Sequence, residues 1–366
     1  MRLRTISCFL YDSEAAALLI QSLIRYIHAG SLKNVILQKG WAHGFHIKTI
    51  IPLSETDEGL EQTIRRTAER YAKERSTEEY EKYEQMLHKL ARMEAYSGDY
   101  LPLYRDGEVI VEEVDQLTSG NPLCSARINY GIELLKSQLF TDIYEEWKRL
   151  SEDKQNVECA KMFLITGSGS PGGLQVGYLS LRSNFEYFKT QLDEMKMEAA
   201  VERKIRDALM SRTQVEKQFI TEGVQKFSKG QYEREFMFER LGIFIRSLTS
   251  MLGQAYDDGE LKEEKLAHGD DFFERHDQVS DFHQTFYSNP QFLQHYHDRG
   301  FIVYRFVASA LYSLMPMLGI SPLRRQRITG LVAECVECGF DMDWQDAYRN
   351  LEMKMAGESD HGKLVH

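Results

Sequence analysis

The chain has 366 residues, 42% of them hydrophobic and 11% aromatic, with 45 Lys and Arg against 56 Asp and Glu for a formal net charge of −11. That length exceeds one ordinary core and predicts two subdomains or one large elaborated domain, and the composition excludes the disordered class. The acidic balance argues against nucleic-acid binding, which concentrates Lys and Arg on one surface.

At the N-terminus, "MRLRTISCFLYDSEAAALL" has neither a sustained apolar region nor a small-residue cleavage site, and no apolar run in the chain reaches membrane-spanning length. A cytoplasmic protein with no membrane partner is expected. Residues 3–11, "LRTISCFLY", read as a first strand, and Leu18, Leu19, Leu23, Ile24 and Ile27 recur at helical spacing over 13–29, a helix stopped by Gly30. "NVILQKG" and "FHIKTIIP" read as short strands on either side of "GWAHG". From 55 to 96, apolar residues three to four apart among many Glu, Arg and Lys predict a charged helical stretch with a solvated face.

Asp106-Gly107 in "YLPLYRDGEVIVEEVD" marks a turn feeding a strand. A helix is expected at 127–150, then two strands, "KMFLITG" and "LQVGYLSLR", joined by the Gly-rich hairpin loop "SGSPGG". Beyond about residue 184 the pattern is helical to residue 350. The fold class is therefore α+β: a mixed, sheet-containing N-terminal half, residues 1–184, holding a candidate active-site cleft, and a largely helical C-terminal half, residues 185–366, packing on it.

Alternation in "GFHIKTII" puts His46, Lys48 and Ile50 on one strand face, next to Trp41 and His43. Such a strand either floors a polar cleft or is a half-exposed edge strand. A metal reading of His43 and His46 needs a third ligand. The denser group of His268, His276, His283, His295 and His297, with Asp270, Asp271, Asp277 and Asp281, has no metal signature and reads as a solvated, acidic and histidine-rich helical stretch. No metal is expected.

The five cysteines read as reduced thiols, and Cys335 and Cys338 fall late in a helix, away from the N-terminal position that lowers a thiol pKa. "GSGSPGG" lacks the Lys and Ser/Thr of a phosphate loop. In "YLSLRSNFEYF", Ser180, Arg182, Ser183 and Asn184 crowd a strand-to-helix junction, where Ser183 or Asn184 either caps the helix or joins a polar site. In "LYSLMPMLGISPLRRQRITGLVAECVE", Gly319 stops one helix, and Ser321 and Pro322 start another whose first turns carry Arg324, Arg325 and Arg327, a place for an anionic group.

Together these segments resemble the lantibiotic-dehydratase C-terminal, thiopeptide-type bacteriocin biosynthesis family. Its early Gly-His-basic strand is matched by "HGFHIKTII", its "P-L", turn and strand by "LPLYRDGEVIV", its Ser-x-Arg-Ser-His junction by "SLRSN", and its closing "LGIS…R…E" hairpin by "LGISPLRRQRITGLVAECVE". Members that eliminate glutamate from glutamylated Ser/Thr carry arginines in the early strand and a late histidine. Here Lys48 stands for the arginine, Asn184 for the junction histidine, and "SLMPM" has no histidine.

Stand-alone members of this length are similar to the pyridine synthases of thiopeptide pathways. The resemblance therefore implies a formal aza-[4+2] cycloaddition of two dehydroalanines with loss of water and leader peptide. Its alternatives are a glutamate-eliminating lyase that completes Ser/Thr dehydration and a non-catalytic peptide-binding partner of a modifying complex. On this resemblance His43, His46, Tyr178, Ser180 and Arg182 are the candidate catalytic residues. Trp41, Lys48, Ser183, Asn184, Tyr187, Arg324 and Arg325 are the candidate substrate contacts. No cofactor is required. The implied partner is a leader-bearing precursor peptide, held in a groove of the helical half, with other enzymes of the pathway and a second copy of the chain as further candidates.

Overall fold

The structure is a computed structural model that describes residues 2–30, 32–55, 57–93, 96, 98–117, 120–194, 198–229, 231, 236–261 and 279–361. The chain forms two compact units, residues 1–121 with 129–141, and residues 122–128 with 142–366. The α+β class holds, with the sheet in the N-terminal region and helices throughout the C-terminal half.

In the first unit, β1 (Leu3–Phe9), β2 (Ile36–Gly40), β3 (His46–Pro52) and β4 (Val109–Val114) make one antiparallel sheet in the order β2-β3-β1-β4. Helix α1 (Ser13–Ala29) starts where the Asp12 carboxylate accepts the backbone N–H groups of Glu14 and Ala15, and it buries Leu19, Leu23 and Ile24. Leu18, expected on that face, is 37% exposed. Helices α1 and α2 (Glu58–Tyr71) pack on one side of the sheet.

The single helical stretch expected over 55–96 is two helices, α2 and α3 (Thr77–Met93). The break has a local cause. Ser76 Oγ accepts the Glu79 N–H while the Glu79 carboxylate accepts the Ser76 N–H, a reciprocal cap that begins a new helix. On the other sheet face Leu3, Ile36, Ile50 and Leu117 form a core against Tyr130 and Leu134 of α4 (Ala126–Trp147). Residues 129–141 of that helix belong to this unit.

The second unit is built from α5 (Glu152–Ser168), α6 (Leu174–Glu194), α7 (Ala199–Met210), α8 (Gln214–Ser228), α9 (Phe236–Asp257), α10 (Asp281–Tyr287), α11 (Pro290–His295), α12 (Arg299–Leu314), α13 (Pro322–Phe340) and α14 (Trp344–His361). The two strands expected at "KMFLITG" and "LQVGYLSLR" lie inside α5 and α6. Cys159, Ala160, Met162, Phe163 and Leu164 are all buried, and a short run buried on every side has no period to separate strand from helix. "SGSPGG" accordingly joins two helices, and the boundary expected at residue 184 falls within α6. The division comes instead near residues 121–142, because the α5–α6 pair belongs to the helical core.

The α5–α6 pair crosses closely. A Cβ on Gly177 would sit 1.9 Å from the Gly167 carbonyl oxygen, so only glycine fits there. At α13 the expected start is present: Gly319 turns at φ 77°, Ser321 Oγ accepts the Arg324 N–H, and Pro322 opens the helix.

Candidate functional site

Helix α6 presents Ser180, Ser183 and Asn184 at positions i, i+3 and i+4, which lie on one helical face. That face borders a cavity of about 350 Å³ within the second unit, whose other walls are rings from α10, α11 and α12, among them Phe282, Phe286, Phe292, Tyr296 and Phe301. Ser280 caps α10, and Asn289 with Pro290 starts α11; these local signals hold the aromatic segment in two short turns of helix. No Asp or Glu lines the cavity among the described residues, whereas Arg305, Arg325 and His283 do.

The polar groups form two hydroxyl clusters. Tyr304 donates to the Gly177 carbonyl at 2.6 Å, and Ser180 Oγ is 2.7 Å from the same phenol. Burial pushes the Tyr304 phenol up to about 12, so it stays a neutral donor at neutral pH. His283, 2% exposed, sits between Ser183 Oγ, 2.9 Å from Nε2, and Ser280 Oγ, 2.8 Å from Nδ1. Arg305 lies 3.8 Å from the centre of the Tyr296 ring, and its buried Nη1 has no hydrogen-bond partner among the described residues. The Arg325 guanidinium reaches the Tyr312 carbonyl at 3.4 Å. Aromatic walls, neutral hydroxyl donors and guanidinium groups suit a site that grips a peptide segment and polarises its oxygens.

Four residues expected in a site from the sequence, Ser180, Ser183, Asn184 and Arg325, line this cavity, and the Tyr187 ring meets the His283 edge-on at 6.4 Å. Tyr178 and Arg182 do not. Because α6 is helical, residues 178 and 182 share a face that Ser180 and Ser183 do not occupy. Tyr178 is fully buried, with its phenol pKa raised by burial and then by Glu337, and Arg182 pairs with Glu186 at 2.9 Å and Glu337 at 3.2 Å. The catalytic expectation for this pair is corrected to an internal ionic and packing role.

The arginine patch also divides. The Arg324 guanidinium is held by Asn156 Oδ1 at 2.6 Å and by the Glu152 carbonyl at 2.8 Å, and Arg327 is held by Glu216. The three arginines therefore do not form one exposed patch.

In the first unit the strand face of His46, Lys48 and Ile50 is not an open floor. His46 is buried, its ring 4.8 Å from that of Phe9 and its Nδ1 2.9 Å from the Gly44 carbonyl. Burial, against the opposing pull of that carbonyl, lowers its pKa to about 4, so it is neutral at pH 7. Lys48 is partly buried, and burial lowers its pKa while Glu112 opposes this. The neighbouring Gln38 is bonded to Glu133 of α4 at 2.9 Å.

His43, at φ 61°, binds the segment beside it: Nδ1 lies 3.0 Å from the Pro102 carbonyl, and its backbone exchanges hydrogen bonds with Tyr100 and Tyr104. The Trp41 ring meets that of Tyr96 edge-on at 5.0 Å. His43, His46 and Trp41 thus sit in an aromatic corner, while Lys48 is half-buried with Glu112 as its charge neighbour.

The solvated reading of the histidine-rich stretch fails at His283, which is buried, while His295 pairs with Asp298. His268, His276, Asp270, Asp271 and Asp277 lie outside the described residues. Among the described residues no group of three His, Cys, Asp or Glu is placed to hold a metal. Cys335 is buried, with its thiol pushed up to about 11 by burial.

His283, Tyr304 and Arg305 were not singled out as site residues from the sequence. A signal existed in "VSDFHQTFYSNPQFLQHYHDRGFIVYRF", where Phe282 and Phe286, and His283 and Tyr287, repeat at four residues behind the capping residue Ser280.

The fold and cavity define an α+β protein with a helical, aromatic pocket lined by no carboxylate among the described residues. No protein-family model and no curated protein sequence matches the chain. Solved structures do share its fold. One is described as the pyridine synthase TbtD from thiomuracin biosynthesis, 16% identical with a TM-score of 0.57 over 92% of this chain and 97% of that one. Another is the crystal structure of TsrL, 14% identical with a TM-score of 0.61 over 95% of this chain and 98% of that one. A pyridine synthase is thus among the proteins that share the whole fold, in keeping with the motif series.

Proposed function

We propose that the chain is a peptide-modifying enzyme of ribosomal natural-product biosynthesis. It joins two dehydroalanines of a leader-bearing peptide by a formal aza-[4+2] cycloaddition, with loss of water and leader. The observation that carries this reading is the aromatic cavity with the Ser183–His283–Ser280 chain and Arg305 at its lining, in a fold shared with a thiomuracin pyridine synthase.

A cycloaddition needs two arms of one peptide held together, and effective molarity supplies much of the barrier reduction. A cavity of about 350 Å³ holds reacting residues, not a whole peptide, so the rest of the peptide lies outside it. In this mechanism Phe282, Phe286 and Tyr296 hold the arms and exclude water. The Ser183 hydroxyl, backed by His283, polarises an amide oxygen toward the iminol form, while Ser180 and Tyr304, bonded to the Gly177 carbonyl, fix the cavity wall beside it.

A second reading is favoured by one observation. Arg305 and Arg325 border the same cavity as His283, and guanidinium groups hold carboxylates through paired hydrogen bonds. A lyase that eliminates glutamate from glutamylated Ser/Thr would use that set in place of Lys48.

Two incubations followed by mass spectrometry separate the readings. A peptide bearing two dehydroalanines should become a macrocycle with release of its leader, and a glutamylated peptide should stay intact. Loss of glutamate from the second substrate would establish the lyase. No change in either, with tight binding, would make the chain a peptide-binding partner.

A further inference from the structure

We propose that Ser183 is a built hydrogen-bond donor to an oxygen of the bound peptide, with its polarity set from behind by His283 and Ser280. This rests on the reading that the cavity binds a peptide. Most helical serines give their proton to a carbonyl one turn back, as Ser180 does toward Gly177 at 2.9 Å. Ser183 makes no such bond. Its one hydrogen bond among the described residues is to His283 Nε2, and it lines the cavity.

The direction of the chain follows from the cap of α10. Ser280 Oγ accepts the His283 backbone N–H at 3.4 Å, which turns its own proton toward Nδ1 at 2.8 Å. A neutral imidazole that accepts at Nδ1 carries its proton on Nε2 and donates there. That N–H occupies an acceptor site of Ser183 Oγ, and the serine proton is left to point into the cavity. Each bond in the row polarises the next, so the terminal O–H is a better donor than an isolated serine.

The opposite polarity would make Ser183 give its proton to Nε2 and act as a nucleophile. It would also leave the Ser280 proton with no protein acceptor among the described residues, since His283 is its only hydrogen-bond partner there. The arrangement therefore assigns Ser183 to donation and His283 to positioning.

The test uses the full chain and a short peptide amide that carries one dehydroalanine with ¹³C-labelled carbonyls. Infrared difference spectra should show a bound carbonyl band at lower frequency than in water. Ser183→Ala should lose that shift while peptide affinity stays within about threefold, because one neutral hydrogen bond contributes little net affinity. His283→Leu should lose most of the shift, and His283→Gln, which can still donate to Ser183, should keep part of it. A fluorophosphonate should leave Ser183 unlabelled.

An unchanged band in Ser183→Ala, no bound band in the wild-type chain, or rapid labelling of Ser183 would each overturn the assignment. The band is read on an unreacted peptide. A shifted band without macrocycle formation would keep the donor and remove the cyclase, and turnover with an unshifted band would do the reverse.

Discussion

Arg327 holds Glu216 through two hydrogen bonds, of 2.6 and 2.9 Å, at a carboxylate that is almost fully buried at the start of α8. Burial alone would raise the Glu216 pKa, but Arg327 and Thr213 overcome it and pull the value down to about 2 from 4.5. A folded-state pKa below the unfolded one means that this stabilisation is complete above about pH 4.5 and is lost as pH falls toward 2. The loss should be on the order of 3 kcal/mol, at about 1.4 kcal/mol per pKa unit. Denaturant titrations from pH 6 to pH 2.5 check it, and Glu216→Gln should flatten the slope.

Arg327→Met strands that buried carboxylate and should destabilise the chain by about 3–5 kcal/mol. Peptide affinity in the same variant, measured where it is still folded, should not change and should show the wild-type salt dependence. A weaker salt dependence would return Arg327 to an exposed anion patch.

His46 should report its burial through pH. Its folded pKa of about 4 lies below the ordinary 6.5, so it stabilises the neutral-pH fold, and that contribution disappears as pH falls from 6.5 to 4. The expected loss is up to about 3 kcal/mol by the same conversion of pKa units. His46→Gln should remove the slope in this window, seen by subtracting its unfolding free energies from those of the wild type. Its turnover should fall only as far as its folded fraction does.

Gly177→Ala is expected to loosen the α5–α6 crossing, since the added methyl meets the Gly167 carbonyl and cannot move it without shifting a helix. Overpacking of this kind costs about 1–3 kcal/mol. The carbonyl group of Gly177 itself accepts the Tyr304 hydroxyl, so peptide binding should weaken as well. Calorimetric melting and titration of the bis-dehydroalanine peptide test both effects. Tyr304→Phe, which removes only the hydroxyl, should cost about 1 kcal/mol.

Arg305→Leu should affect binding more than folding. Its stacking on Tyr296 contributes about 0.5–1 kcal/mol to stability, a small change in melting temperature. Loss of a guanidinium whose buried Nη1 has no acceptor among the described residues should weaken peptide binding about tenfold, the effect of one charge-assisted hydrogen bond. Isothermal titration with the same peptide measures it. Equal affinity in wild type and variant would place the peptide away from Arg305.

Elements with local signals were legible from the residues alone. The first strand, α1, the Asp106-Gly107 turn and the Gly319-Ser321-Pro322 entry to α13 each depend on neighbours within four residues, through a cap, a turn glycine or a clear period. The crowding of Ser180, Ser183 and Asn184 is also visible in the sequence, but only the helical period brings all three to the cavity.

Tertiary packing decided the rest. A period of two groups Tyr178, Ser180 and Arg182, while the helical period sends Tyr178 into the core, pairs Arg182 with Glu186 and Glu337, and turns Ser180 and Ser183 to the cavity. Alternation in β3 assigned His46 and Lys48 to a face but not what covers that face, and the answer comes from helix α4, some 80 residues further on in the chain. His283 reaches Ser183 across 100 residues, a separation over which no side-chain pattern carries information. Local propensity acts through bonds within a turn of chain, whereas burial and charge pairing are set by whichever surface folds against a group, and the cavity is made of the second kind of contact.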